Sequence, residues 1–260
     1  MRVVSAGLLE PAVALALDEA VVRAEPGSPV LVLWHTRPAV VIGRFQRADW
    51  EVDAAACAAR SVRVWRRFTG GGAVYLDHGT LCAGIVVPAG HPDAALGVPE
   101  LYAPFLDGIA AACRALGVEA RRDERTVRVD GRKVTGVAAH RGRRATLVHG
   151  TLLVEADLEA LSACLAGPRG GSLDARPRPA PSRPDTVANV GVGMAAARAA
   201  VARAFAGEAA AEEAPSAREL ELGAELRRGR YADPEWHAGP WHDVTSGEVG
   251  AVLGEERPSR

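Results

Sequence analysis

The chain has 260 residues, 48% hydrophobic and 24% charged, which suits one large α/β domain or a large domain with a small appendage. Its formal net charge of −1 excludes a broad electrostatic attraction to nucleic acid or to a membrane surface. No apolar run reaches the roughly 18–20 residues that a membrane-spanning helix requires. Glu10, Asp18 and Glu19 interrupt the apolar stretch near the N-terminus, which argues against a signal peptide.

The first half of the chain predicts helices that alternate with short buried strands. Apolar residues at helical spacing predict helices over residues 10–24, 53–60 and 104–116. Short apolar runs between glycine and proline breaks predict strands over residues 30–34, 39–42, 62–65 and 81–87.

The second half opens with a predicted hairpin, because residues 126–129 alternate, Asp130-Gly131 is a typical two-residue turn, and Lys133 starts the return strand. A strand over 147–154 and helices over 157–165, 193–205 and 218–228 complete the prediction. Residues 167–186 are rich in Pro, Arg and Gly and predict a loop. Strands and helices without a regular βαβ rhythm favour an α+β domain over residues 1–240, followed by a flexible tail over 241–260.

The four cysteines predict reduced thiols in a cytoplasmic protein. Cys57, Cys82, Cys113 and Cys164 are scattered, without a CxxC pair or the spacing of a metal site. We therefore expect no disulfide framework and assign no metal ligand.

The most informative segment is the run Gly70-Gly71-Gly72 between two predicted strands. Glycines fit where the backbone must approach a ligand closely, and their N–H groups can then cradle an anion. Arg66 or Arg67 could add charge-assisted hydrogen bonds to a phosphate or carboxylate. The alternative is a glycine-rich hairpin with two solvated arginines. A Walker loop is excluded, because no Gly-Lys-Ser/Thr follows.

Two further residues are candidates for polar chemistry. Lys133 lies between a tight turn and Gly136, where its amine could meet a phosphate or an acyl carbonyl as a point charge. An exposed hairpin lysine is the alternative. His149 stands at the head of an apolar run, where a lone histidine is usually structural.

Six segments, read in order, resemble the signatures of one family. They are WHTRPAVVIGRFQ (34–46), RRFTGGGAVYLDHG (66–79), GRKVTGVA (131–138), HGTLLVEADLEAL (149–161), VANV (187–190) and YADPEW (231–236). The chain is similar to lipoate–protein ligase A and to its octanoyltransferase and biotin-ligase relatives. This resemblance implies a mixed β-sheet flanked by helices, of the biotinyl/lipoyl ligase (class II synthetase-like) type, with the ligand in a cleft under the glycine loop.

The resemblance also implies an activity. Lipoate and ATP, with Mg²⁺, would give lipoyl-AMP and pyrophosphate. The lipoyl group would then pass to a lysine of a lipoyl domain, in a 2-oxoacid dehydrogenase or in the glycine cleavage H protein. About twenty residues follow Gly239, too few for the C-terminal domain of many bacterial ligases. The chain is therefore expected to resemble a large domain that works with a separate small subunit.

The family pattern assigns roles to individual residues. Lys133 would contact the acyl carbonyl and the α-phosphate, and stabilise charge that builds in the transition state. Trp34, Val40 and Val41 are expected as apolar neighbours. The residues expected to bind substrate are Arg67, Gly70, Gly71, Gly72, Ala73, Tyr75, Asp77, Gly136, Ala138, His149, Gly150 and Thr151.

The chain departs from that pattern at four places, Leu76, Thr80, the pair Arg125-Thr126, and Thr186. These departures concern the adenylation half-reaction more than acyl binding. Asp123 and Glu124 lie close to the altered pair and are candidates to replace it.

Two other functions remain open. One is a cysteine-dependent octanoyltransferase, with Cys164 as the nucleophile, although the Pro-Cys-Gly setting of such enzymes is missing. Cys82 is expected to belong to the core. The other is a non-catalytic homologue that captures lipoate or a carrier domain. A biotin ligase is disfavoured, because the glycine loop lacks a Gly-Arg-Gly arrangement.

Overall fold

A computed structural model of the chain describes residues 1–165, 182, 185–208 and 211–238. The strands are β1 (Arg2–Leu9), β2 (Val30–Thr36), β3 (Ala39–Ile42), β4 (Arg63–Arg66), β5 (Val74–Leu76), β6 (Thr80–Pro88), β7 (Ala120–Asp123), β8 (Thr126–Val129), β9 (Arg132–Lys133), β10 (Thr135–Arg141), β11 (Ala145–Leu153) and β12 (Glu212–Glu213). The helices are α1 (Pro11–Arg23), α2 (Ala48–Glu51), α3 (Ala54–Ala59), α4 (Val98–Ala115), α5 (Leu158–Cys164), α6 (Met194–Ala206), α7 (Ala217–Leu226) and α8 (Pro234–Ala238). A 3₁₀ turn (Pro92–Ala95) precedes α4, and a π-helical turn (Arg227–Tyr231) follows α7.

The main sheet has six strands in the order β10-β11-β6-β2-β1-β12. Pairing is antiparallel from β10 to β2 and parallel from β2 to β12, so the sheet is mixed. This confirms the predicted α+β class and the mixed sheet.

Helices cover both faces of this sheet, because successive side chains of a strand point to opposite faces. Leu31 and Leu33 of β2 face α4 and α6, whereas Val32 and Trp34 face α1 and α7. Two apolar cores result, with the sheet as the layer between them.

Two small sheets lie beside the main one and carry the distinctive motifs. The sheet β4-β3-β5 holds the glycine run in the connection from β4 to β5. The sheet β7-β8-β9 contains the predicted hairpin, whose turn residues Asp130 and Gly131 have φ of 48° and 74°, as a type I′ turn requires. This hairpin prediction is confirmed.

The predicted start of α4 at Pro104 is wrong, because the helix begins at Val98 and Pro104 lies inside it. An interior proline costs about 3 kcal/mol. Leu101 and Tyr102, which precede it, are buried in the core, so their packing keeps this first part helical. The proline side chain itself is exposed.

The sequence also failed to predict several strands, namely β1, β5, β7, β12 and most of β10. These strands are short or lack the alternation of a half-buried strand, and β1 changes register between Ser5 and Gly7. The expected tail over 241–260 and most of the loop over 167–186 lie outside the described residues. Within the described part, no helix combines the length and apolar character needed to cross a membrane.

Candidate active site

A cavity of about 620 Å³ opens between the main sheet, the glycine run and the β8–β9 hairpin. Its inner end is buried and is lined by Leu15, Asp18, Trp34, Val41, Cys82, Ala83 and His149. Its mouth is more exposed and carries charged residues, namely Asp123, Glu124, Arg125, Arg128, Lys133 and Asp185. Gly71, Gly72 and Ala73 also line it, as do Gly136, Ala138, Gly150 and Thr151. An apolar interior with a few polar groups at one end is typical of a small-molecule site.

The glycine run is held close to the end of β3. A Cβ atom on Gly43 would lie 2.1 Å from the carbonyl oxygen of Gly71, so only glycine fits there. Gly71 has φ of +85°, which side-chain-bearing residues rarely adopt. Within the described residues, the N–H groups of Gly71 and Gly72 donate no hydrogen bond, whereas that of Ala73 donates to Ser182 Oγ at 2.9 Å. The two unused donors are available to a ligand.

Arg67 supports the glycine run from inside the protein. Its guanidinium donates to the carbonyl oxygens of Val41 (3.1 Å), Gly70 and Gly72 (2.8 Å), and to Thr69 Oγ1 (2.9 Å). Burial lowers the pKa of Arg67 to about 10, which still leaves it charged at neutral pH. Arg67 therefore lines the cavity, but its guanidinium donates hydrogen bonds to the protein itself rather than to a bound phosphate or carboxylate.

Arg66 points away from the cavity and is fully buried. It donates to the carbonyl oxygens of Gly43, Arg44 and Gln46, and to those of Trp236 and His237. The alternative of two solvated arginines is therefore wrong. The suggestion that Arg66 binds a ligand anion is also wrong, because its hydrogen bonds join the C-terminal elements to β3.

A chain of buried polar side chains closes the inner end of the cavity. Asp18 on α1 accepts a hydrogen bond from Trp34 Nε1 at 2.8 Å, and its second oxygen lies 3.0 Å from His149 Nδ1. The other ring nitrogen of His149 lies 2.8 Å from Thr69 Oγ1, which Arg67 also contacts. This chain links α1, β2 and β11 to the glycine run, so His149 is more than an isolated core histidine.

Lys133 lines the same cavity as Gly71 and Gly72 and lies at its mouth. Its backbone lies between β8 and residues 186–188, because it pairs with Arg128, its N–H donates to Thr186 and its carbonyl accepts from Ala188. Burial lowers the pKa of Lys133, and the nearby Arg128 lowers it further, while Asp185 opposes that change. Within the described residues no side chain hydrogen-bonds its amine, which leaves a cation facing the cavity.

Four residues expected at the ligand do not line the cavity, namely Gly70, Tyr75, Asp77 and Val40. Tyr75 and Val40 point to the other side of their small sheet and pack with α3 and α5. Asp77 instead holds local structure, since it accepts hydrogen bonds from Gly79 N, Thr80 Oγ1 and Asp157 N, the last at the start of α5. The carbonyl of Gly70 is occupied by Arg67.

The cavity also contains residues that the sequence did not single out, namely Asp18, Arg128, Asp185 and Tyr102. Asp18 could have been noticed, since it interrupts the buried apolar stripe of α1, where an acid needs a partner. Arg128 could have been placed too, because the predicted hairpin sets it opposite Lys133 across the Asp130-Gly131 turn. Tyr102 and Asp185 have no such signal, because they come from segments distant along the chain.

The cysteines offer no accessible nucleophile. Cys164 is fully buried, does not line the cavity, and lies in the same apolar cluster as Cys57, whose pKa burial raises to about 12. Cys82 is buried as expected, although it also lines the inner end, and burial raises its pKa well above the ordinary value. A thiolate is the reactive form of cysteine, so this environment disfavours nucleophilic chemistry.

The mouth does not supply a metal site of its own. Among the described residues, no three His, Cys, Asp or Glu side chains are placed to hold a metal ion. Asp123 and Asp185 are both engaged by Arg128, at 2.6 and 2.9 Å.

Comparison with known proteins gives a family match for most of the chain. The model of the lipoyl protein ligase A/B catalytic domain matches residues 10–206. Lipoate-protein ligase A subunit 1 of Thermoplasma acidophilum is 30% identical over 245 residues, which cover 86% of this chain and 91% of that protein. Octanoyltransferase LipM of an Exiguobacterium species is 32% identical over 184 residues, covering 60% and 66% of the two chains.

Solved structures are similar over nearly the whole fold. A T. acidophilum lipoate protein ligase with bound lipoic acid aligns with a TM-score of 0.77 and 27% identity, over 92% of this chain and 99% of that one. A lipoate-protein ligase A bound with ATP gives a TM-score of 0.77 and 27% identity, over 92% and 98%. The bipartite ligase of T. acidophilum, described with its E2 lipoyl domain, gives 0.75 and 29%, over 92% and 97%.

Proposed function

Because the chain belongs to the lipoyl protein ligase A/B catalytic domain family, we propose that it activates lipoate as lipoyl-AMP and transfers the lipoyl group to a lysine of a lipoyl domain. One observation carries this proposal. Gly71, Gly72 and Lys133 line one cavity, whose inner end is buried and largely apolar, and within the described part of the chain the two glycine N–H groups donate no hydrogen bond.

The inner end suits a lipoyl chain, because Leu15, Trp34, Val41 and Ala83 offer apolar surface to its hydrocarbon and dithiolane parts. The carboxyl end of the chain would then lie between the glycine run and Lys133. Keeping water away from this region matters, since an acyl adenylate is readily hydrolysed.

In the first step, a lipoate carboxylate oxygen bonds to the α-phosphorus of ATP while the bond to pyrophosphate breaks. In the second step, the neutral amine of the acceptor lysine bonds to the acyl carbon, AMP leaves with the bonding electrons, and the amine loses a proton to solvent. Negative charge builds on the carbonyl or phosphate oxygens in both steps. Lys133 and the loop N–H groups are placed to stabilise that charge.

The nucleotide and its metal ion are substrates in this proposal. Lys133 and the loop donors suit an α-phosphate, and a related lipoate-protein ligase A is known with bound ATP. Asp123 and Asp185 are paired with Arg128, and the described residues hold no cluster of three metal ligands, so Mg²⁺ would be held through the nucleotide phosphates rather than by a protein cluster.

We further propose that a separate small subunit assists adenylation, because the similar T. acidophilum ligase is bipartite. Acceptors would be lipoyl domains of 2-oxoacid dehydrogenases, as the E2 lipoyl domain described with that ligase suggests, and also the glycine cleavage H protein. The cysteine-dependent octanoyltransferase is the second candidate, which the similarity to LipM favours. The burial of Cys164 away from the cavity opposes it.

The test is incubation with a lipoyl domain, lipoate, ATP and Mg²⁺, with and without supplied lipoyl-AMP, followed by mass spectrometry of the acceptor. We expect lipoylation from the adenylate, and a loss of at least about a hundredfold in Lys133→Ala, the scale of removing one donor to a developing anion. Cys164→Ser should retain activity.

Unchanged transfer by Lys133→Ala would contradict the role of this amine. Loss of transfer in Cys164→Ser would instead favour the octanoyltransferase. If the wild-type chain acylates nothing under either condition, the result favours the alternative of a non-catalytic homologue that binds lipoate or a carrier domain.

A further inference from the structure

Arg128 is a second cation at the cavity mouth, directly beside Lys133. The two residues are opposite each other in the pairing of β8 with β9, and both line the cavity. Directly opposite residues of an antiparallel pair lie on the same face of the sheet, and like charges there repel each other. A site that places two cations side by side is suited to an anion that contacts both.

Carboxylates now balance the charge of Arg128. Asp185 accepts two parallel hydrogen bonds from the Arg128 guanidinium, at 3.0 and 2.9 Å, and Asp123 accepts a third at 2.6 Å. The side chains of Arg128 and Asp185 are 27% and 26% exposed, so water reaches this pair and it can exchange partners. The two-pronged contact matches the geometry with which arginine also binds phosphate.

Resting on the proposed function, we propose that Arg128 binds nucleotide phosphate beside Lys133, and that Asp185 occupies Arg128 as a competing anion until the nucleotide arrives. Asp185 then leaves the guanidinium, because a carboxylate beside a phosphate would repel it. The phosphate gains two neighbouring cations at once, and the repulsion between those cations is relieved.

Charge predicts which ligand depends most on Arg128. ATP and pyrophosphate carry several negative charges, whereas the phosphate of an acyl adenylate carries one. Arg128 should therefore contribute more to the binding of ATP and pyrophosphate than to transfer from a preformed adenylate.

The test measures the affinity of the full chain for MgATP, and separately for pyrophosphate, by titration calorimetry. Arg128→Gln should weaken MgATP binding by about ten- to a hundredfold, the range for hydrogen bonds to charged groups. Arg132→Gln is the matched control, since it removes the same charge from the neighbouring, exposed position of the hairpin, whose residue does not line the cavity. It should bind within about twofold of wild type, since a rim charge contributes little.

Two further variants separate binding from folding. Arg128→Lys keeps the charge but loses the two-pronged geometry, so its affinity should be intermediate. Asp185→Asn removes the competitor and should bind MgATP more tightly than wild type. Thermal melting of each variant checks that the fold is retained.

Equal affinities of Arg128→Gln and Arg132→Gln would overturn the proposal, as would an absence of MgATP binding by the wild-type chain. Weaker binding by Asp185→Asn would overturn the competing role of Asp185. Transfer from supplied lipoyl-AMP is assayed in parallel. If transfer fails while ATP binding depends on Arg128, the proposed function is wrong and this inference stands.

Discussion

The two ends of the cavity are built differently. At the inner end, Asp18, His149, Thr69 and Arg67 form one buried chain, in which each polar group has a partner within the protein. At the mouth, Arg128 is paired with carboxylates that are partly exposed, and Lys133 has no side-chain partner among the described residues. The inner end is therefore fixed in advance, whereas the mouth can exchange its partners for those of a ligand.

The two ends therefore suit different kinds of ligand, because one is rigid and the other can exchange its partners. A buried, fully satisfied network resists rearrangement, because breaking one bond leaves a polar group without water. It therefore suits the recognition of a constant apolar chain. Exposed ion pairs contribute little to stability and are easily replaced, which suits a site where reactants and products of different charge follow each other.

Loss of Arg67 should give the largest effect on stability, because its buried guanidinium holds the backbone of the glycine run by hydrogen bonds. In Arg67→Met, the buried carbonyl of Val41 and the partly buried carbonyls of Gly70 and Gly72 lose this donor. Each unsatisfied group costs about 1–3 kcal/mol, so we expect the free energy of unfolding to fall by about 3 kcal/mol or more. Urea unfolding measures this.

The control for that variant is Arg132→Met, which removes an exposed arginine of the mouth hairpin and should change the free energy of unfolding by about 0.5 kcal/mol or less. If the two variants unfold alike, the contrast between a fixed inner region and an adaptable mouth is lost.

The adjacent residues Arg66 and Arg67 show how far the site could be predicted from the sequence. Local motifs predicted the Asp130-Gly131 turn correctly, and they singled out Gly71, Gly72 and Lys133, which line one cavity. The sequence could not tell the two arginines apart, because adjacent residues of a strand point to opposite sides and part of the Arg66 environment lies far along the chain. Arg66 meets Trp236 and His237, which are 170 and 171 residues away.

The same limit applies to the inner end. Asp18 and His149 are separated by 131 residues, so nothing in either segment indicates their contact. Periodicity predicted α1 correctly, yet it treats Asp18 as an interruption and gives it no partner. Conversely, the family pattern suggested ligand contacts for Tyr75 and Asp77, whereas side-chain direction places both away from the cavity.

A substitution at Asp18 should raise the KM for lipoate more than the KM for ATP. Asp18→Asn keeps an acceptor for Trp34 Nε1 but removes the charge beside His149. Losing a charge-assisted hydrogen bond of about 1.5–3 kcal/mol should raise the KM for lipoate by roughly tenfold or more, with the KM for ATP nearly unchanged. Steady-state lipoylation at varied lipoate and varied ATP separates the two.

Arg128→Gln should give the reverse pattern, a raised KM for ATP with little change for lipoate. Should both variants raise the same KM, the two ends are not independent, and the comparison between them fails.

The smallest expected effect is a shift, along the pH axis, of the decrease in activity at alkaline pH, which is called the alkaline limb of the pH profile. In its proposed role Lys133 would stabilise negative charge only while it is protonated, and burial lowers its pKa below the ordinary 10.5. Activity should therefore fall as pH rises through that lowered pKa. Arg128 lowers the pKa of Lys133 and Asp185 raises it, so Arg128→Gln should move the limb to higher pH and Asp185→Asn to lower pH. Both shifts should be within about one pH unit, since these charges are partly exposed to solvent.

The measurement is the rate of transfer from supplied lipoyl-AMP over a range of alkaline pH. Supplying the adenylate removes the adenylation step from the measured rate. The acceptor lysine titrates identically with all three enzymes, so only the displacement between the curves reports on Lys133. Asp18→Asn should leave this pH dependence unchanged, because Asp18 lies at the inner end, whereas the charges that shift the Lys133 pKa, Arg128 and Asp185, lie at the mouth. Movement of the two mouth variants in the same direction would mean that the limb belongs to another group, since opposite charges beside one amine must shift its pKa in opposite senses.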